Sequence, residues 1–213
     1  MSRILILGAS GRIAQFARAA LLADQTTQLT LFAHHARKLT DVDNARETVV
    51  EGDAANVADL TAAMNGVDVV YANLAGRNIK AQAQAVVSAM KQTGVRRLIW
   101  ISTLGIYDEV PGKYGEWNHQ MLDDGYLPTY RAAAQVIEES DLDYTIIRPA
   151  WLQNNDEVEY ELTQKGEPFK GTEVSRKSIG TLVAKIALAP TDYVGASLGV
   201  DKPGTDGDKP AWY

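Results

Sequence analysis

The chain has 213 residues, a formal net charge of −6 and no cysteine. The composition excludes disulfides and thiolate sites, and the three histidines show no metal-ligand spacing. The acidic balance argues against nucleic-acid binding, and no apolar run approaches the roughly 20 residues of a membrane span. The N-terminal stretch lacks a signal-peptide pattern, so we expect a cytoplasmic protein with neither nucleic-acid nor membrane partners.

The first predicted strand, Ile4–Leu7, ends in the segment Gly-Ala-Ser-Gly, and an alanine-rich amphipathic helix follows over residues 13–22. Gly8 permits a sharp exit from the strand, and Gly11 lets a diphosphate approach the backbone at the start of the helix. A structural turn without a ligand is the alternative, but the strand–turn–helix context favours a nucleotide. The predicted contacts of this loop with a dinucleotide come from Gly8, Ser10, Gly11, Arg12 and Ile13.

Short apolar runs then alternate with helical segments along the chain. The clearest helix covers residues 78–93, where Ile79, Ala83, Val86 and Met90 share one face and Gly94 follows. This alternation predicts an α/β fold of three layers, with a mainly parallel, doubly wound sheet. We expect one domain over residues 1–213, with 201–213 as a short C-terminal surface extension. The further strands are predicted at residues 29–33, 48–51, 67–71, 98–102, 144–148 and 194–200.

The loop after the second strand indicates which dinucleotide binds. No carboxylate occurs between residues 30 and 40, where an NAD site usually places Asp or Glu for the ribose 2′-hydroxyl. His34, Arg37 and Lys38 lie there instead, and Arg12 adds a further cation. The pattern therefore favours NADP(H), although for Arg37 and Lys38 a solvated basic loop is an equal alternative.

The ends of the next two strands offer further cofactor contacts. Asp53 follows the third strand, where the adenine amino group would lie. Ala72, Asn73 and Leu74 follow the fourth strand and suit contact with a ribose. Ordinary turn chemistry is the alternative for both segments, since Asp, Asn and Gly favour turns.

Several segments together resemble the atypical short-chain dehydrogenase/reductase superfamily, and within it NmrA-like and biliverdin reductase B-like proteins. The resemblance implies a Rossmann fold with NADP(H) at the carboxyl edge of the sheet and Pro149 beside the cofactor. It does not by itself imply an enzyme, because NmrA-like proteins include cofactor-sensing regulators. The segments that carry it are GASGRIA, VVEGDAANVADL, GVRRLIWIST, SDLDYTIIRPAWL and EVSRKSIGTLVAKI.

The resemblance also implies a catalytic set of Ser or Thr after the fifth strand and a Tyr-x-x-x-Lys pair on the next helix. Ser102 and Thr103 match the first position. Tyr130 has Ala134 four residues later, so no lysine is placed to lower a phenol pKa for proton transfer. Tyr130 can still contact the cofactor ribose, and packing inside the first helical turn is its alternative role.

Two functions follow from these residues. The first is an NADP(H)-dependent oxidoreductase without the usual Tyr–Lys pair, acting on a small acceptor. Aromatic residues in a predicted lid, 104–126, would suit a planar aromatic substrate. The second is a non-catalytic NADP(H) sensor that acts through a protein partner. The absence of the Tyr–Lys pair favours this second function.

Overall fold

The computed structural model describes residues 2–122 and 124–213, which contain ten strands and six helices. The strands are β1 (Arg3–Leu7), β2 (Gln28–Ala33), β3 (Glu47–Glu51), β4 (Val69–Ala72), β5 (Arg97–Ile101), β6 (Asp143–Pro149), β7 (Trp151–Gln153), β8 (Glu161–Thr163), β9 (Glu173–Ser175) and β10 (Ala196–Asp201). The helices are α1 (Arg12–Leu22), α2 (Val57–Ala63), α3 (Ile79–Thr93), α4 (Gly112–Leu122), α5 (Tyr126–Glu138) and α6 (Arg176–Leu188), and a short 3-10 helix spans Ala36–Lys38.

Eight strands form one sheet in the order β3-β2-β1-β4-β5-β6-β10-β8. Its neighbours pair in parallel except β8, which runs antiparallel to β10. Strands β2 and β3 extend the sheet on one side of β1, and the later strands, beginning with β4, extend it on the other side. The direction in which the chain adds strands therefore reverses between β1 and β4. Ligands of such sheets bind beyond the carboxyl ends of the strands at that reversal. The predicted doubly wound parallel sheet is confirmed.

Helices cover both faces of this sheet. One apolar core joins α1 and α6 to the sheet, and a second joins α2, α3 and α5 to the opposite face. Helix α3 confirms its predicted pattern, because Ile79, Ala83, Val86 and Met90 are all fully buried. It ends at Gly94, whose φ of +75° is the left-handed conformation that favours glycine. Among the described residues, no helix has the length and apolarity that crossing a membrane requires.

Candidate functional site

A cleft of about 450 Å³ opens at the carboxyl edge of the sheet, beside the reversal between β1 and β4. Because the carboxyl ends of β1 to β4 meet at this edge, residues far apart in sequence converge there. The cleft brings together seven of the predicted cofactor-binding residues. They are Gly8, Ser10, Gly11, His34, Asp53, Asn73 and Leu74.

The turn between β1 and α1 leaves room for a ligand directly against its backbone. Gly8 has a φ of +72°, and a Cβ atom there would lie 2.3 Å from the backbone oxygen of Asn73, so this position does not accept a side chain. A Cβ atom on Gly11 would lie 2.1 Å from Asn73 Nδ2, so the Asn73 side chain would have to move. Gly11 precedes α1, and no side chain caps this helix. The first N–H groups of α1 are therefore available for an anion, as a diphosphate requires. The residues present fit a dinucleotide.

The remaining predicted cofactor-binding residues do not line the cleft, and they differ in burial and position. The residues Ile13, Ala72 and Pro149 are buried, so they offer the site backbone and apolar surface. Arg37 lies in the 3-10 helix and does not line the cleft. Arg12 does not line it either, and instead lies close enough to Arg176 of α6 for the two charges to interact.

A carboxylate from a neighbouring strand contacts the basic loop after β2, and the sequence of the loop itself did not predict this contact. Glu51, at the end of β3, accepts a hydrogen bond from the backbone N–H of Ala36 (2.8 Å). Strand β3 pairs with β2, and this brings Glu51 beside a segment that contains no acidic residue of its own. The rings of His34 and His35 stack at 4.5 Å, and of the two only His34 lines the cleft.

Asn78, which precedes α3, and Gln82 of α3 also line the cleft and were missed from the sequence. Gln82 is 8% exposed and donates from Nε2 to Asn78 Oδ1 (3.0 Å). Its Oε1 is buried and has no partner among the described residues, so it is available to a ligand donor. The sequence signal that could have revealed Gln82 is a glutamine on the apolar face of α3, one turn after the helix begins.

Asp53 both stabilises a turn and lines the cleft. Its carboxylate accepts a hydrogen bond from Ala55 N–H (2.9 Å), and the residue also belongs to the lining of the cleft.

The predicted catalytic hydroxyls lie at the carboxyl end of β5. Ser102 N–H donates to Ile147 O (2.7 Å) and Leu104 N–H donates to Pro149 O (3.1 Å), which holds this segment against the end of β6. Ser102 and Thr103 are both buried. Ser102 Oγ has no hydrogen-bond partner among the described residues, and such an atom is uncommon unless a ligand or water pairs with it.

Tyr130 lies in the first turns of α5, 4% exposed, with its ring stacked on that of Tyr126 at 4.2 Å. Tyr126 precedes it by four residues, which is the Tyr-x-x-x-Lys spacing with a second tyrosine in place of lysine. Both rings line a second cavity of about 490 Å³, together with Gly76, Arg77 and Met121. Burial, and next the neighbouring Tyr130, raise the pKa of Tyr126, so its phenol stays protonated at neutral pH.

The aromatic residues predicted to form a lid divide into separate groups. Tyr107 is held inside the protein, where its hydroxyl donates to Glu138 Oε1 (2.5 Å) and cationic side chains surround its ring. Trp117 contacts Trp151 (4.8 Å between ring centroids) and Tyr213 (5.0 Å). Of this predicted lid, Tyr126 is the aromatic residue that lines the second cavity.

Comparisons with known proteins agree with this architecture. An NAD(P)H-binding family model matches residues 8–190. A Rossmann-fold NAD(P)-binding family protein from Shigella flexneri is 43% identical, with a TM-score of 0.85 over 99% of this chain and 98% of that chain. A wide-type short-chain dehydrogenase/reductase from Veillonella parvula, crystallised with NADP, is 33% identical, with a TM-score of 0.91 over 99% of each chain. An anaerobilin reductase from Escherichia coli O157:H7, 19% identical with a TM-score of 0.80 over 97% of this chain and 100% of that chain, supports the fold alone. A comparison with curated proteins finds no match.

Proposed function

Because the chain belongs to the NAD(P)H-binding family, we propose that it is an NADP(H)-dependent oxidoreductase that reduces a small acceptor without the usual Tyr–Lys pair. The nicotinamide supplies a hydride when the cofactor is bound. The observation that carries the proposal is the buried Ser102 hydroxyl at the end of β5, beside the end of β6, which has no hydrogen-bond partner among the residues that the structure describes. A carbonyl or similar acceptor atom would pair with this hydroxyl as negative charge develops during reduction.

The proposed cofactor site follows the cleft. The backbone of the loop from Gly8 to Ile13 would hold the diphosphate, and His34 with the adjacent basic segment would meet the 2′-phosphate. Asp53, Asn73 and Leu74 would contact the adenosine half, and Pro149 would lie beside the nicotinamide. The crystal structure of the 33% identical relative with NADP supports this choice of cofactor.

We predict that NADPH binds more tightly than NADH. Each charged contact to the 2′-phosphate is worth on the order of 1.5–3 kcal/mol before solvent losses, and Glu51 would reduce the gain through repulsion. The variant His34→Asp should reverse the preference. Calorimetry with both nucleotides measures it.

The neighbouring residue provides a matched control for this variant. His35→Asp introduces the same charge outside the lining of the cleft and should change the preference less. Glu51→Gln should increase the preference for NADPH. Equal affinities of the wild type for both nucleotides, or tighter binding of NADH, would contradict the assignment.

A tyrosine pair would take the place of the Tyr–Lys pair. With its pKa raised, Tyr126 would keep its proton and act as a hydrogen-bond donor rather than as a base. Tyr130 would position it through their stacked rings and contact the cofactor ribose. The exposed ring surface of Tyr126 in the second cavity supports a planar aromatic acceptor.

We expect Tyr130→Phe to lower turnover only modestly. The phenyl ring keeps the stacking contact with Tyr126, and no lysine stands four residues later to activate the hydroxyl as a base. Steady-state kinetics together with NADPH affinity would separate lost positioning from lost chemistry. An inactive Tyr130→Phe enzyme that still binds NADPH normally would show that this hydroxyl takes part in proton transfer.

A non-catalytic sensor is the second candidate function. Met121 and Tyr126 are 45% and 40% exposed and both line the second cavity, where a protein partner could cover them. Tight NADPH binding without reduction of quinones, flavins or aldehydes would favour this function.

A further inference from the structure

The first residues of α1 and α6 are both arginines, and the packing of the two helices brings them together. A Cβ atom on Gly180 would lie 2.6 Å from Phe16 Cβ, so the helices are in direct contact there. Arg176 stands four residues before Gly180, and Arg12 stands four residues before Phe16. Residues four apart lie one above the other on the same helix face. Both helices return from the carboxyl edge of the sheet toward its amino edge, so they begin side by side at that edge, where the two guanidinium charges are close enough to interact.

Arg176 is fixed in place by neutral groups. Its Nη1 donates to Leu152 O (3.1 Å) and Asn154 Oδ1 (2.8 Å), both in the segment that follows β6. Neither partner offsets the positive charge. In residues 2–122 and 124–213, no carboxylate pairs with Arg176 or Arg12.

The acidic side chains of that segment form ion pairs with two lysines. Asp156 pairs with Lys177 (2.6 Å), whereas Glu157 and Glu159 both pair with Lys202 (2.8 and 3.5 Å). Lys177 and Lys202 thus pair with the three carboxylates of the segment 151–160. The positive charges of Arg12 and Arg176 have no ion-pair partner in the described part of the chain.

The two charges repel each other. Burial, and then repulsion from Arg12, lower the pKa of Arg176. Holding like charges together in a half-buried place is unfavourable without an anion between them. Arginine side chains also offer the forked donor geometry that suits carboxylate and phosphate oxygens.

We propose that Arg12 and Arg176 together bind an oxyanion, a phosphate or carboxylate group of a bound molecule. Arg12 adjoins the glycine loop, and Leu152 and Asn154 follow the strand end at Pro149, so the site lies between the expected diphosphate and the expected acceptor. The oxyanion then belongs either to the dinucleotide diphosphate or to an acidic group of the acceptor. This assignment to a cofactor or an acceptor rests on the proposed function, whereas the anion site itself does not.

Inorganic pyrophosphate is a direct probe of this site. Its binding to the free protein would be measured by calorimetry for the wild type, Arg12→Gln, Arg176→Gln and the control Lys185→Gln. We expect each arginine variant to bind pyrophosphate about tenfold more weakly or worse, since each loses a charge-assisted contact. Lys185→Gln, in the last turn of α6 at the far end of the helix from Arg176, should bind as the wild type does. Thermal unfolding of each variant checks that it is folded.

The same titration on protein saturated with NADPH distinguishes the two sources. If NADPH abolishes pyrophosphate binding, the arginines hold the cofactor diphosphate. If binding persists and still depends on Arg176, they hold an acidic group of the acceptor, and acceptors that carry a carboxylate or phosphate are expected. No binding to the free wild type, or unchanged binding of pyrophosphate and NADPH in both arginine variants, would overturn the proposal. Arginine-dependent pyrophosphate binding by a protein that reduces no acceptor would reject the oxidoreductase and retain the anion site.

Discussion

Replacing Ser102 and Thr103 together by alanine should lower turnover by roughly a hundredfold or more, while NADPH affinity stays near that of the wild type. The reason is geometric. Both hydroxyls follow β5 at the edge where the nicotinamide is expected, and Ser102 Oγ has no partner within residues 2–122 and 124–213. A donor that pairs with the reacting atom stabilises the transition state more than the bound substrate, so its loss appears in kcat.

A serine elsewhere provides the matched control for this double variant. Ser88→Ala lies on α3, where the hydroxyl contacts Gln92 near the surface, and it should leave turnover unchanged. The unfolding transition of the double variant should remain cooperative. If the double variant turns over at the wild-type rate, the two hydroxyls are not catalytic and the proposed site chemistry is wrong.

Breaking the buried ion pair between Glu109 and Arg148 should have the largest effect on stability. Both side chains are buried, at 4% and 0% exposure, and they are in direct contact. Glu109 also accepts the backbone N–H groups of Gly105 (3.0 Å) and Tyr107 (2.9 Å). Removing one partner of a buried pair leaves an uncompensated charge, which typically costs about 3–5 kcal/mol. We therefore expect Glu109→Gln to lower the free energy of unfolding by about that amount, measured by denaturant titration.

An exposed ion pair serves as the comparison for Glu109→Gln. Arg96 and Asp143 pair at the surface, and Asp143→Asn should change the unfolding free energy far less. The double replacement Glu109→Leu with Arg148→Met removes both charges and should recover part of the loss. A small effect of Glu109→Gln would show that the pair is not the main anchor of residues 105–109, which follow the proposed catalytic hydroxyls of Ser102 and Thr103 along the chain.

The fold and much of the lining of the cleft were accessible from the sequence because their signals are local. The strand–glycine–helix pattern at Gly8 and Gly11, and the helical face of Ile79 and Met90, depend on neighbouring residues. The positions of Asp53 and Asn73 follow from parallel topology, since the carboxyl ends of parallel strands meet at one edge. The predicted resemblance to the NAD(P)H-binding proteins is confirmed by the family match.

The remaining features depend on side chains that meet only after folding. Glu51 reaches the basic loop because β3 pairs with β2, and Arg12 meets Arg176 because α1 packs against α6. The lid prediction grouped Tyr107 with residues that would cover a substrate, whereas its hydroxyl donates to Glu138, which is 31 residues away. Pattern alone could not distinguish an aromatic residue that lines a cavity from one held in an ionic network.

Acceptor-dependent oxidation of NADPH tests the central claim most directly. The purified protein would be screened against quinones, flavins and aldehydes, with the Ser102→Ala/Thr103→Ala variant and the Ser88→Ala control in parallel. The proposed oxidoreductase predicts that at least one acceptor is reduced by the wild type and by Ser88→Ala, and that the double variant loses this activity while it still binds NADPH. Tight NADPH binding with no acceptor-dependent oxidation by the wild type would contradict it.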